Sequence, residues 1–547
     1  MAYREPGIEV RYASTTTVAT GNEPYLTPCI VGSGAKYLKK TLTVERNAEG
    51  DVDILDIYAP NSDFTVLRVG QSSVSTDYYD EIGIKSTESY VAIDAYNASF
   101  SEEDTSSALA LPQADYSVSI TEAGKVKITW AAGDLCYSDV TGSNYKNGNT
   151  TVTSGNEDGK SFLLRKTRKP DPGVAYYVDI IYPVNESNNP GQYDLKAFTM
   201  LDSIFETYGN CLSYADHTGE TLELNRLSLG LYLARLNGTS SVYGLQVQIT
   251  QDDNTAQTKL VPDQYDYAKA LAKLEAADYV YRIVPLDLNN NINEVVINHI
   301  STMSSPEEKG ERRAFLSYAA VGAINDFNDL YTEVGGYASR INNERVNVLN
   351  KYNASIYLPS GDLLDPIDVA GSEPFICAAL AGLEGSMNIS ASLTRATLSG
   401  FASITEIVPT LRTQRNMLAQ KGVVLLEKGV NASSLTTVRH SLTTNMSSAE
   451  TRETSVVTIK DYIGKILRNV LDQFIGRANL ITDELLTRIQ ASCETVLDNA
   501  ISNNIIVQGE VTDIYQSETE LDRVILVVTI YPPYPCNGID ITVQSSQ

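Results

Sequence analysis

Ile459-Lys460-Asp461-Tyr462-Ile463-Gly464-Lys465-Ile466-Leu467-Arg468-Asn469-Val470-Leu471-Asp472-Gln473-Phe474 is the stretch from which the C-terminal part of this 547-residue chain is read. Ile459, Ile463, Ile466, Leu467, Val470 and Phe474 recur three and four residues apart, which puts them on one face of a helix over about 459–475. A second helix over about 482–501 aligns Leu486, Ile489, Cys493, Val496, Leu497 and Ala500, so Cys493 is expected in a core. Strand-like segments at 505–514 and 523–531 follow, then a turn with Pro532, Pro533 and Pro535, and a tip in which Ile539, Ile541 and Val543 alternate with polar residues. This order predicts a small α+β domain over 405–531 and a linker strand over 532–547.

Working back along the chain, 261–404 alternates helix and strand, as an α/β layer requires. A helix is expected over 264–277, a strand over 279–284 stopped by Pro285, and a helix near 292–303. Ser305-Pro306-Glu307-Glu308 joins an N-cap, a proline at the first helical position and a capping glutamate, so a short helix is expected there. Strands at 315–321 and 346–349 flank a helix near 325–341, and Ser372-Glu373-Pro374 opens another. A helix over 410–421 should stop at Gly422, before the strand Val423-Val424-Leu425-Leu426.

Residues 38–260 have another texture, rich in Ser, Thr, Asn, Gly and Asp. Short strands are expected around 64–69, 116–120, 126–130, 176–182 and 243–249, separated by turn-rich segments such as 141–149 and interrupted by a helix around 195–208. One or two β-rich domains inserted between an N-terminal segment, 1–37, and the α/β core account for this pattern. The N-terminal segment mirrors the other end of the chain: after Pro6-Gly7, Ile8, Val10 and Tyr12 alternate with Glu9 and Arg11. Termini ordinarily fray. Strand-like tips at both ends therefore need a sheet to join, either the chain's own or that of a neighbouring copy.

Composition narrows the function. The chain carries 42 basic and 68 acidic residues, a formal charge of -26, which argues against coating nucleic acid or an anionic membrane. There is no 18-residue apolar run, so stable membrane insertion is not expected. Cys29, Cys136, Cys211, Cys377, Cys493 and Cys536 form no C-x-x-C pair, which leaves neither a metal cluster nor a disulfide framework to propose. His217, His299 and His440 lie near no recognisable nucleophile or metal-ligand motif, and G-x-S-x-G and H-E-x-x-H are absent. Gly32-Ser33-Gly34-Ala35-Lys36 lacks phosphate-loop spacing and reads as a strand-end turn, while Glu102-Glu103-Asp104 has no EF-hand pattern. No catalytic residue, cofactor or metal is therefore assigned. Residues 401–480 stand out by charge: ten Lys/Arg against six Asp/Glu give +4. On the first C-terminal helix, Asp461 and Lys465 are spaced for an i,i+4 ion pair, and Lys465 and Arg468 are expected at neighbouring surface positions. Such a patch is either a dock for an acidic partner or an ordinary polar helix face.

Taken together, Pro6-Gly7-Ile8-Glu9-Val10, Ser14-Thr15-Thr16-Thr17, Cys29-Ile30-Val31-Gly32 and the block from Leu411 to Val543 resemble the contractile-tail sheath proteins of myovirus-type phages. The order of elements agrees over roughly 1–35 and 260–547. The chain departs from that pattern where polar Thr443-Thr444-Asn445-Met446-Ser447-Ser448 replaces a Trp-Gly-containing segment. The resemblance implies a multidomain α+β fold whose β-rich insertion faces outward and whose terminal strands are exchanged between subunits. It implies stacked six-membered rings around a tail tube, contracting to drive the tube through the host envelope, without an enzymatic step. Ile8, Glu9, Val10, Ile539, Ile541 and Val543 would then be intersubunit strand residues, and Lys460, Lys465 and Arg468 candidate tube contacts. Partners would be other copies, the tube protein, and baseplate and neck or terminator proteins, in a virion tail assembled in the host cytoplasm. A non-contractile self-assembling virion protein is the alternative reading.

Overall fold

The computed structural model describes residues 26–71, 79–84, 109–110, 116–130, 160–165, 173, 175–250, 261–359, 366–428, 436–476 and 480–537. The chain divides into two compact units. One comprises Met1–Gly34, Tyr193–Cys211 and Asn225–Gln547; the other comprises Ala35–Gln192 and Leu212–Leu224.

The first unit is built on an eight-stranded sheet. Its order is Lys196–Phe198, Val242–Gln246, Pro28–Gly32, Arg282–Pro285, Arg313–Ser317, Val346–Leu349, Val423–Lys428 and Thr436–His440. The six inner strands are parallel and the two outer ones antiparallel. A parallel sheet is covered on both faces, so its strands read as continuous apolar runs: every residue of Pro28–Gly32 and Arg313–Ser317 is buried. On one face Tyr267, Leu271, Val296, Ile300, Val334, Ala338 and Leu418 pack onto Cys29, Val31, Ile283, Leu316, Val348 and Val423. They come from the helices Gln264–Ala272, Asn290–Met303 and Arg412–Gln420 and from the helical stretch 327–341. The helices Arg226–Leu236 and Glu373–Gly385 pack together so closely that a Cβ on Gly382 would lie 2.0 Å from the Ala234 carbonyl oxygen.

Several expectations shift in detail. Gly422 ends its helix as anticipated, at φ +80°. Ser305-Pro306-Glu307-Glu308 is a turn and not a helix. The helix before it ends at Met303, and Ser304 Oγ accepts from the Arg312 amide at 2.9 Å, folding the chain straight back into Arg313–Ser317. The strand expected at 315–321 stops at Ser317. The helix around 195–208 is a short strand, Lys196–Phe198, followed by the helix Leu201–Tyr208. Val242–Gln246 joins the parallel sheet rather than the β-rich unit, pairing with Pro28–Gly32.

The second unit is all-β among its described residues apart from a one-turn 3-10 segment, Pro60–Ser62. A six-stranded antiparallel sheet runs Leu222–Leu224, Leu212–Tyr214, Tyr37–Glu45, Ala175–Pro183, Thr65–Gln71, Leu109–Ala110. A three-stranded sheet runs Val52–Tyr58, Lys125–Trp130, Tyr116–Ile120, and Tyr79–Ile84 pairs with Lys160–Arg165. Leu55, Ile57, Val126, Ile128, Tyr176, Val178 and Ile180 form the core with Trp130, the chain's one tryptophan. Asp53, buried among them, accepts from Trp130 Nε1 at 2.6 Å, Tyr176 Oη at 3.0 Å and the Asn47 amide at 2.7 Å. Asp53→Ala would strand those donors and is expected to destabilise this unit by about 2–4 kcal/mol. Trp130 fluorescence during denaturation reads this unit alone, and an unmoved midpoint would contradict the role given to Asp53.

Candidate functional site

Three arginines begin neighbouring sheet segments. Arg282 and Arg313 lie opposite one another in the parallel register, and Arg345 directly precedes Val346–Leu349. All three are buried, an arrangement that stands only if each guanidinium meets its own acceptors. Arg282 donates from Nε to Glu384 at 2.7 Å, with Nη2 also on that carboxylate, and from Nη1 to Asn347 Oδ1 at 3.0 Å. Its guanidinium lies 4.2 Å from the Phe315 ring centroid. Burial lowers the Arg282 pKa from its ordinary value; the Glu384 charge opposes this and Arg313 adds to it.

Arg313 and Arg345 reach the helix Thr454–Leu471. Arg313 Nη1 donates to the Thr454 carbonyl and to Thr458 Oγ1, both at 2.7 Å. Arg345 pairs with Asp461, whose Oδ2 also accepts from Tyr281 Oη at 2.9 Å. Burial and the Asp461 charge raise the Tyr281 phenol pKa. Asn347 Nδ2 completes the anchor, donating to the Leu442 carbonyl at 2.6 Å and to Thr454 Oγ1 at 3.0 Å. The first C-terminal helix is thus fixed to the sheet by charges and hydrogen bonds as well as by apolar burial.

These partners redraw the basic face expected on that helix. Asp461 pairs with Arg345 and not with Lys465, because it faces the sheet while Lys465 Nζ donates to the Asp278 carbonyl at 2.5 Å. Arg468 is buried rather than on the surface, where it pairs with Glu311 and donates to the Lys309 carbonyl at 3.1 Å. Lys460 is buried as well. Lys465 alone of the three is half-buried; desolvation lowers its pKa, against the charges of Asp278 and Glu311.

The second C-terminal helix, Asp483–Ser502, starts at Thr482, whose Oγ1 accepts from the Leu485 amide at 3.3 Å. Leu485, Ile489, Cys493, Val496, Leu497 and Ala500 close a core with Ile459, Ile463, Leu467 and Phe474. An antiparallel hairpin, Gln508–Gln516 with Val524–Tyr531, lays Val511, Ile514, Val524, Leu526, Val528 and Ile530 on that core, with a register break between Val511 and Asp513. Among the described residues each strand of the hairpin has one partner strand. Tyr515 and Val527 are exposed.

From Tyr531 the chain runs back along its own body. Pro532 is buried, and Asn537 Nδ2 donates to Glu453 Oε1 at 3.2 Å. Glu453 itself is buried and also meets His440 Nε2 at 3.0 Å and Arg452 Nε at 3.4 Å. Ile8, Glu9, Val10, Ile539, Ile541 and Val543 lie outside the described residues.

The other candidate chemistry is dispersed. His217 Nδ1 is 3.2 Å from Thr65 Oγ1, and His299 packs on Arg312, its pKa lowered to about 4 by burial and by that guanidinium. Among the described residues no group of three His, Cys, Asp or Glu could hold a metal ion. In the turn after Gly32, the Ser33 amide and hydroxyl both donate to Asp287, at 3.0 and 2.7 Å, so a carboxylate takes the donors a phosphate would need.

No protein-family model matches the chain. A tail sheath protein of Mycobacterium phage Bxz1 is 28% identical over 371 residues, covering 68% of this chain and 58% of that protein. The chain therefore matches less than two thirds of that relative's length. The resemblance to contractile-tail sheath proteins is borne out by this similarity. Among solved structures, the cryo-EM structure of the anti-feeding prophage baseplate is similar with a TM-score of 0.48 and 13% identity, over 67% of this chain and 90% of that one. The contracted helical sheath of the anti-feeding prophage is similar with a TM-score of 0.46 and 14% identity, over 65% and 89%.

Proposed function

We propose that this chain is a structural subunit of a phage contractile tail sheath, polymerising as stacked hexameric rings around a tail tube and contracting to drive the tube through the host envelope. The observation that carries the reading is the C-terminal hairpin, a sheet fixed on a pair of helices that has two strands among the described residues. An edge strand can recruit a further strand through its backbone groups. The chain supplies candidates at both ends, Ile8-Glu9-Val10 and Ile539-Asp540-Ile541-Thr542-Val543, with the period-two pattern that such addition needs. Strands given to a neighbour keep subunits linked while their bodies move as rigid units. The sleeve belongs to the virion tail, is assembled in the host cytoplasm, and meets tube, baseplate and neck or terminator proteins. Tube contact is assigned to the face of the Thr454–Leu471 helix that carries Lys465, since Lys460 and Arg468 are buried.

Electron microscopy of the purified polymer tests this reading. Sleeves that become shorter and wider on triggering are expected, whereas a fixed rise and diameter would favour a static virion polymer. Removing residues 1–12 or 538–547 should leave folded subunits that do not form sleeves; normal polymerisation would exclude strand exchange at that end. In the same preparation, Lys465→Gln, which removes the charge but keeps a donor for the Asp278 carbonyl, should weaken tube-dependent assembly and leave the subunit's denaturation midpoint unmoved. Unchanged assembly would remove Lys465 from the tube contact.

A further inference from the structure

We propose that Glu453 is a latch for the root of the C-terminal linker, holding residues 532–537 on their own subunit until the linker is pulled. The inference rests on the reading that residues 539–543 pair in a neighbouring copy, and it adds a control on how far they reach.

The latch is built into the body of the subunit. Glu453 sits at the head of the Thr454–Leu471 helix with its side chain 1% exposed, and its backbone bridges to Leu442. His440 Nε2 and Arg452 Nε hold the carboxylate at 3.0 and 3.4 Å independently of the tail. Asn537 adds one hydrogen bond, of 3.2 Å, from an exposed residue. A bond to a buried carboxylate is charge-assisted and stronger than a neutral one, yet losing it leaves Glu453 with both body partners. Release therefore does not require the body to unfold. Tyr534 lies in the same field: burial, Glu450 and Glu453 raise its phenol pKa.

The segment is also suited to extension. Pro532, Pro533 and Pro535 fix φ at three of its six positions, so the freed chain favours an extended form over a new fold. Six residues at about 3.3 Å each let the freed segment reach at most roughly 20 Å from Tyr531. That slack lets neighbouring bodies separate while the exchanged strand stays paired.

The test uses the full chain with Asn537→Ala and Asn537→Asp, the second placing a carboxylate against Glu453. In isolated subunits, NMR relaxation of the 534, 536 and 537 amides is expected to show a segment as ordered as the body in the parent and freely mobile in Asn537→Asp, which loses the one charge-assisted bond. Free mobility of these amides in the parent, or no change in the variant, would overturn the latch. Neither result bears on strand exchange, which the 538–547 deletion tests separately. In assembled sleeves, Asn537→Asp should polymerise normally and contract more readily. An unchanged contraction threshold would reject the link between latch and motion.

Discussion

Glu384→Ala is expected to destabilise the sheet-bearing unit by about 3–5 kcal/mol, because it removes the carboxylate that neutralises a buried guanidinium. Arg282 has no route to water: its side chain is 0% exposed, lying over the Phe315 ring with Arg313 beside it. Replacing both partners at once, with Arg282→Met and Glu384→Leu, is expected to cost far less than the single change, since no charge then remains buried. The comparison is made by chemical denaturation of all variants. Equal losses in the single and double variants would show that packing, and not charge, dominates at this position.

Asp461→Ala is expected to cost a similar amount, about 3–5 kcal/mol, but with a different pattern of damage. Asp461 accepts from Arg345 and Tyr281, so its loss strips the sheet-facing side of the Thr454–Leu471 helix of its ionic anchor. Hydrogen exchange should therefore accelerate first in the two C-terminal helices and the hairpin that packs on them, ahead of the parallel strands. Uniform acceleration across the unit would mean that the C-terminal block and the sheet unfold as one.

Both predictions rest on pairings that cannot be read from the chain. Local pattern made the amphipathic elements legible: the helix near 459–475 is found as Thr454–Leu471 with a terminal 3-10 turn, and that near 482–501 as Asp483–Ser502. One face of each meets a core, so their apolar residues recur at helical spacing. Arg226–Leu236 shows the opposite case. It is buried from Leu227 to Ala234, and with no solvent face it carries no helical stripe. Leu227, Leu229, Leu231 and Leu233 instead alternate with period two, as a strand would. Val242–Gln246 was legible as a strand but not as a member of the parallel sheet, since periodicity records which side chains are buried and not which strand lies alongside.

The candidate site divides in the same way. The +4 balance of residues 401–480 is visible in the sequence and suggested a basic face, but three-dimensional pairing turned Arg468 to Glu311, Asp461 to Arg345 and Lys465 to the Asp278 carbonyl. Glu453 carried no sequence signal, because His440 and Asn537 lie 13 and 84 positions from it.

By itself the sequence determined the α/β core, the β-rich insertion as a kind of structure, the two C-terminal helices with the hairpin after them, and the resemblance to sheath proteins. These follow from nearest-neighbour sterics and from a single apolar face, both written within a few consecutive turns of chain. Tertiary structure alone decided which strands share the eight-stranded sheet, where the inserted unit begins and ends, and which carboxylate answers each buried arginine. Most of those choices join residues well outside any one helix or strand, such as Cys29 to Tyr243, Arg282 to Arg313, Arg282 to Glu384 and Arg345 to Asp461. Burying those charges and backbone groups costs free energy unless each meets its partner, and the partners meet only once the chain has closed around them.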